Sequence, residues 1–202
     1  MLTIYGVPKS RAFRCLWAAE EAGLPYESVP VMFGAESRAP AYLAINPNGS
    51  VPALRDGELM LFESLAINLH IAAKVGAPLL PAGADHSRVL QWTLWAATEI
   101  EPNVLQWARH SFMLPAPQRD AALAEAGRAA TDTRLAVLEG VLADRAFLLG
   151  EAFSIADCNL AGVLYGSWFN GYDLSAAPRV KAWMERCMTR PAALAARRLR
   201  EG

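Results

Sequence analysis

The chain is poor in the residues that metal and disulfide chemistry draw on. Its 202 residues include only three cysteines (Cys15, Cys158, Cys187) and three histidines (His70, His86, His110). The cysteines are odd in number and share no C-x-x-C spacing, which predicts reduced thiols in a cytoplasmic protein. The histidines are scattered and none has a second ligand at helical spacing, so no metal site is expected. An excess of charge of one sign is also missing. Nineteen Lys and Arg face 20 Asp and Glu for a net charge of −1, which argues against a chain that lives on nucleic acid or on an anionic membrane. No apolar run approaches the ~20 residues of a bilayer span. The opening MLTIYG lacks a charged segment followed by an apolar one, so no signal peptide is expected.

What the chain does have is core material: 53% of its residues are hydrophobic and 19% charged, a globular composition with room for one large domain or two small ones. The first 76 residues are mixed in character. LTIY reads as a strand, and Ser10 then precedes a helical pattern that turns Ala12, Phe13, Leu16, Trp17 and Ala19 inward and stops at Gly23 and Pro25. Cys15 falls within that pattern among apolar neighbours and reads as a buried structural thiol. YESVPV is a second extended run, and Pro30 within it suggests a sheet edge. A loop or short helix follows, then the turn-rich NPNGS. VPALR and ELMLF flank Asp56-Gly57, a hairpin signal. Glu63-Ser64 opens an apolar helix closed by Gly76 and Pro78, with Ser64 as its cap. Residues 77–86 read as a linker, and residues 87–202 are helical in pattern. Helices are expected over 87–112, kinked at Pro102, over 118–143, from a Ser154-x-x-Asp157 capping box to about Phe169, and over 177–189. A basic tail, RRLREG, closes the chain.

Three features of the first half suit one kind of ligand. Ser10 and Ser64 each stand at a helix start, where unpaired N–H groups and the helix dipole favour negative charge. Val51-Pro52 lies just before the hairpin, and a cis bond there would turn the Val51 main chain outward toward an extended peptide. Two helix N-termini and one strand backbone form a site for a small anionic peptide. Each feature taken singly reads more readily as plain structure than as a site: Ser is a common cap and Pro commonly begins strands.

Their order resembles a known family. Ser10 and Arg14 after the first strand, NPNGSVPAL, the hairpin and Glu63-Ser64 are similar to the thioredoxin-like N-terminal domain of cytosolic glutathione transferases of the serine type. QWTLW at 91–95, Glu101-Pro102 and SIADC at 154–158 resemble that family's all-helical C-terminal domain. The resemblance implies an α/β thioredoxin-like domain followed by an all-α domain, with glutathione as co-substrate and no prosthetic group. It implies that the Ser10 hydroxyl stabilises the glutathione thiolate, which attacks an apolar electrophile. It further implies that Val51 pairs through its main chain with the cysteinyl backbone and that Pro52 is a cis-proline. Glu63 would meet the γ-glutamyl amino group, Ser64 the γ-glutamyl carboxylate, and Asp157 would be a structural cap. The role of Arg14 stays open. Many members carry Lys, Arg or Gln just before the Val-Pro pair; here that residue is Ser50, and Arg38 or Lys9 could take the glycine carboxylate instead. Ser10 stands between Lys9 and Arg11, without the double serine of the family's cis-trans isomerases, and Tyr5 reads as core. Trp107, Phe112, Met113 and Trp168 are candidates for the electrophile site, expected between the domains. A homodimer in the cytoplasm, working in detoxification, is implied too. The alternatives are a glutathione-binding or scaffold protein of the same fold, and a glutathione-dependent disulfide reductase.

Overall fold

The computed structural model describes residues 1–202, which divide into two compact units: Met1–Gly83 with Met188–Gly202, and Ala84–Cys187. In the first unit, LTIY forms β1 (Leu2–Tyr5), buried along its whole length. Strand β2 (Tyr26–Val29) runs parallel to it on one side. On the other side lie β3 (Ala53–Asp56) and β4 (Leu59–Phe62), antiparallel, so the sheet order is β2-β1-β3-β4. The register sets Ile4 opposite Leu54 and Leu54 opposite Leu61. Strand β2 is an edge strand, as Pro30 implied, and it ends at Val29. Between β1 and β2 runs α1 (Ala12–Ala22), which buries Phe13, Leu16 and Trp17 and ends on Gly23 at φ 61°. A 3-10 turn (Glu36–Arg38) and the short α2 (Pro40–Leu43) lead to β3, and α3 (Ser64–Ala73) follows β4.

The hairpin turns one residue later than its sequence signal suggests. Asp56 pairs with Leu59, so Gly57 and Glu58 form the turn. Asp56 is retained in β3 because its carboxylate accepts from His70 and Lys74 of α3.

The helical unit begins with α4 (Ala84–Trp95), three residues earlier than expected. The single kinked helix anticipated over 87–112 is instead α4, a π turn (Ala96–Ile100), α5 (Glu101–Ala108) and a second π turn (Arg109–Met113). Pro102 stands in the first turn of α5, where its missing N–H breaks no bond, and the wide turn before it takes up the irregularity. Helices α6 (Ala121–Val141), α7 (Ile155–Phe169) and α8 (Pro178–Met188) complete the unit. The α7 capping box is present: the Asp157 carboxylate accepts from the Ser154 N–H (3.0 Å) and hydroxyl (3.1 Å). It also accepts from the Leu148 N–H (2.8 Å) and the Trp183 indole (2.9 Å), so one buried side chain ties α7 to α8 and to the segment before α7. Burial pushes its pKa up, against the lowering by these donors.

The basic end of the chain is not a tail. Residues Pro191–Glu201 form α9, which belongs to the first unit and buries Ala193 and Ala196. Arg190 makes a two-bond ion pair with Glu21 at the far end of α1, both at 2.7 Å. No helix is long and apolar enough to cross a membrane.

Two glycines of α6 separate packing from propensity. A Cβ on Gly127 would lie 2.6 Å from the Trp107 backbone nitrogen and 2.8 Å from the Asn103 carbonyl oxygen, so α5 and α6 would have to part; a Cβ on Gly140 meets nothing within 4 Å. Urea unfolding is therefore expected to show Gly127→Ala destabilising by about 1–3 kcal/mol. Gly140→Ala, in the same helix, is expected to stabilise by about 0.5–1 kcal/mol.

Candidate active site

The site grows around a glycine. Gly6 follows β1 at φ 133°, a conformation open to a residue without Cβ. A methyl group there would lie 3.0 Å from Ala12 Cβ, 3.1 Å from Val51 Cβ and 3.6 Å from Ser10 Oγ. The absence of that methyl lets the start of α1 and the Val51-Pro52 segment converge. Beneath them Tyr5 packs edge-to-face on Tyr42, with ring centroids 6.4 Å apart, in a cluster with Ala53 and the half-buried Val51. Tyr5 is core, as its pattern implied.

Ser10 lies one residue ahead of the position that caps α1, which is Arg11. Its hydroxyl still serves the helix, accepting from the Ala12 N–H at 3.1 Å. It donates to the Val7 carbonyl at 2.7 Å, and that carbonyl also accepts the Ser10 N–H at 2.9 Å. The Ser10 oxygen is thus held by one bond and its proton directed by another.

Val51-Pro52 is cis. Neither the N–H nor the C=O of Val51 enters the backbone hydrogen bonds of the turns and loops. Ser50, exposed beside it, has its carbonyl fixed by the Tyr42 hydroxyl (2.8 Å) and the Asn46 amide (2.6 Å), which holds the segment in place. The stem of the exposed Arg38 passes Gly49, so close that a Cβ on Gly49 would come within 3.3 Å of it. That brings the Arg38 chain next to the Ser50 position, while Lys9 is exposed in the turn ahead of Ser10.

Ser64 is not the cap of α3. Glu63 holds that position with φ 70° and ψ 105°, the one non-glycine residue with positive φ. Such a conformation costs of order 1–3 kcal/mol and is typical of functional positions. Glu63 is exposed, while Ser64 is buried as the first residue of α3. The first α3 bond runs from the Ile67 N–H to the Glu63 carbonyl, leaving the N–H groups of the first turn directed outward. Buried Arg14, on α1, donates to Ser64 Oγ at 3.2 Å. An accepting hydroxyl keeps its own proton to donate elsewhere, and this bond ties Arg14 of α1 to the start of α3. Cys15, the next residue, donates from Sγ to the Ser64 carbonyl at 3.6 Å. It is fully buried, and burial drives its thiol well above the usual range.

In the helical unit, Trp107 lies edge-on to Phe112 (5.6 Å between centroids) and to Tyr172 (4.8 Å). Met113 is exposed, and Trp168 lies against Tyr165 at 6.2 Å. One residue at the Ser10 turn escaped the sequence reading. Arg200 of α9 donates from Nη1 to the Pro8 carbonyl (2.8 Å) and the Ser10 carbonyl (2.9 Å). At 190 residues' distance no local pattern could signal that contact.

Comparisons with known proteins agree with this geometry. Residues 1–73 match the family described as "Glutathione S-transferase, N-terminal domain", and residues 100–191 match "Glutathione S-transferase, C-terminal domain". Glutathione S-transferase 3 of Zea mays is 36% identical over 95% of this chain and 90% of its own length. The disulfide-bond oxidoreductase YfcG of Escherichia coli is 33% identical over 95% and 92%. Among solved structures, glutathione S-transferase I from maize in complex with an atrazine glutathione conjugate superimposes with a TM-score of 0.89 at 32% identity, covering 99% of this chain and 98% of that one.

A thiol reagent must reach the sulfur, and a buried thiol is shielded from it. The three free cysteines, all buried, are therefore expected to resist a thiol reagent at neutral pH while the chain is folded. All three should react after denaturation, read as absorbance of the released chromophore.

Proposed function

The chain belongs to the glutathione S-transferase family, and we propose that it conjugates the glutathione thiolate to an apolar electrophile with Ser10 as its catalytic residue. The observation that carries this reading is the bonding of the Ser10 hydroxyl. Its oxygen is anchored by the Ala12 N–H, and its proton rests on a carbonyl that has a second donor. When a sulfur arrives, the proton can swing to it without stranding Val7, whose carbonyl keeps the Ser10 N–H. The α1 N-terminus adds its positive end. Together they favour thiolate over thiol and lower the thiol pKa toward neutrality. The thiolate then forms the carbon–sulfur bond.

The same reading assigns the rest of the tripeptide. The Val51 main chain, presented by the Pro52 bend, pairs with the cysteinyl backbone. Ser64 and the first-turn N–H groups of α3 take the γ-glutamyl carboxylate, and the Glu63 carboxylate takes the amino group. Ser50 is too short to neutralise the glycine carboxylate, and Arg38, whose stem passes the same loop, supplies the charge. The acceptor is held by the helical unit. Trp107, Phe112, Met113 and Trp168 offer it aromatic and apolar surface, and the maize structure with an atrazine conjugate supports an apolar acceptor. A homodimer is supported by the edge strand β4, which leaves Leu59, Met60 and Phe62 each more than 40% exposed. Three buried free thiols accord with a cytoplasmic location.

YfcG favours a second reading, disulfide reduction. Against it stands Cys15, the cysteine nearest the turn, which is buried, neutral and turned to the Ser64 carbonyl.

Conjugation kinetics over a range of glutathione concentrations test the assignments. Ser10→Ala is expected to lower kcat/KM by about 10²-fold, the usual loss on removing one such donor. Arg38→Ala is expected to raise KM for glutathione roughly tenfold with little change in kcat, since a charge-assisted hydrogen bond is worth that factor. Wild-type rates in Ser10→Ala would remove Ser10 from its role.

A further inference from the structure

Helix α9 is fastened to α1 at both ends, and the two fastenings differ. At one end Arg190 meets the carboxylate of Glu21, an ordinary ion pair. At the other, Arg200 meets no side-chain oxygen in its two bonds from Nη1. Both go to main-chain carbonyls, those of Pro8 and Ser10, on either side of Lys9. Its guanidinium carbon lies 5.5 Å from the centroid of the Phe13 ring in the first turn of α1. The cation stands in the last turn of its own helix, whose dipole favours it, and beside the first turn of α1, whose dipole opposes it. The carbonyl bonds and the Phe13 ring hold it there. The result is a half-buried positive charge on the main chain of the serine that, on the reading above, stabilises a thiolate.

We propose that Arg200 is a positioning residue for Ser10. Its guanidinium clamps the Pro8–Ser10 turn, so that the Ser10 oxygen has one location relative to Val51, and its charge adds to the α1 N-terminus in favouring the bound thiolate. This proposal rests on the assignment of Ser10 as the thiolate-stabilising residue.

The test uses the full chain with five single variants: Arg200→Met, which keeps much of the stem over Phe13, Arg200→Gln, Arg200→Lys, Arg190→Ala and Ser10→Ala. The readouts are the pH profile of kcat/KM, the ultraviolet absorbance of the bound thiolate against pH, and the thermal midpoint. Both bonds leave one nitrogen, so a lysine ammonium can replace them; Arg200→Lys is expected to keep the wild-type profile. Arg200→Met and Arg200→Gln are expected to raise the pKa of the bound thiol by roughly one unit and to lower kcat/KM at neutral pH about tenfold. Either of the two carries the test if the other fails to fold. Arg190→Ala is expected to lower the thermal midpoint and leave the pH profile in place, which separates a fastener from a positioning residue. Wild-type pH profiles in Arg200→Met and Arg200→Gln, with Ser10→Ala inactive, would overturn the proposal and leave the Ser10 assignment intact. Wild-type activity in Ser10→Ala would overturn both.

Discussion

The hydrogen bond from the Ala12 N–H to the Ser10 oxygen fixes a hydroxyl ahead of a helix while leaving its proton movable. The rest of the first unit is arranged about that constraint. Gly6 omits the Cβ that would push the Ser10 turn away from Val51. The Tyr42 hydroxyl and Asn46 amide hold the Ser50 carbonyl, so the segment leading into Val51 does not drift from the turn. Arg14 crosses from α1 to Ser64 and ties the start of α3 to the same helix. On the proposed reading this hydroxyl must be placed to within a fraction of an ångström, and its neighbours are placed by bonds to main chain or to buried side chains.

The electrostatics follow from the same geometry. A chain with net charge −1 gives no sign of an anion site, because composition sums over the surface and a site depends on which charges lie together. The start of α3 offers unpaired N–H groups, and the start of α1 offers the positive end of its dipole. Buried Arg14 stands between them, Arg200 backs the Ser10 turn, and Arg38 runs past Gly49 beside Ser50. Glutathione carries two carboxylates and, when activated, a thiolate, with a single ammonium to balance them. On the proposed reading the exposed Glu63 carboxylate, on a backbone at φ 70°, is the counterpart for that ammonium.

Local signals in the sequence were enough for much of this. Strand LTIY, the α1 face ending at Gly23 and the Ser154–Asp157 box each rest on residues a few positions apart, and each appears where those residues require. The readings that failed depend on distant partners. Ser64 looked like a cap because Ser commonly is one, yet its hydroxyl accepts from Arg14, 50 residues earlier, and the cap position falls to Glu63. Asp56 looked like a turn residue until His70 and Lys74 drew it into β3. The long helix of the second half reads as regular because hydrophobic spacing does not register a π turn, and the wide turn at Ala96–Ile100 falls just ahead of Pro102. The basic end looked like a solvated tail because its buried face consists of alanines, which carry little hydrophobic signal.

That alanine face also explains how the clamp on Ser10 is tolerated. Small side chains at 193 and 196 let α9 lie close on α1, and the Arg190–Glu21 pair holds the far end. With the helix fixed there, Arg200 reaches the Ser10 turn from a set direction, and its backbone needs no further ordering in forming its two bonds. On the proposal that Arg200 positions Ser10, the packing that secures the last helix also sets the position of a residue near the start of the chain.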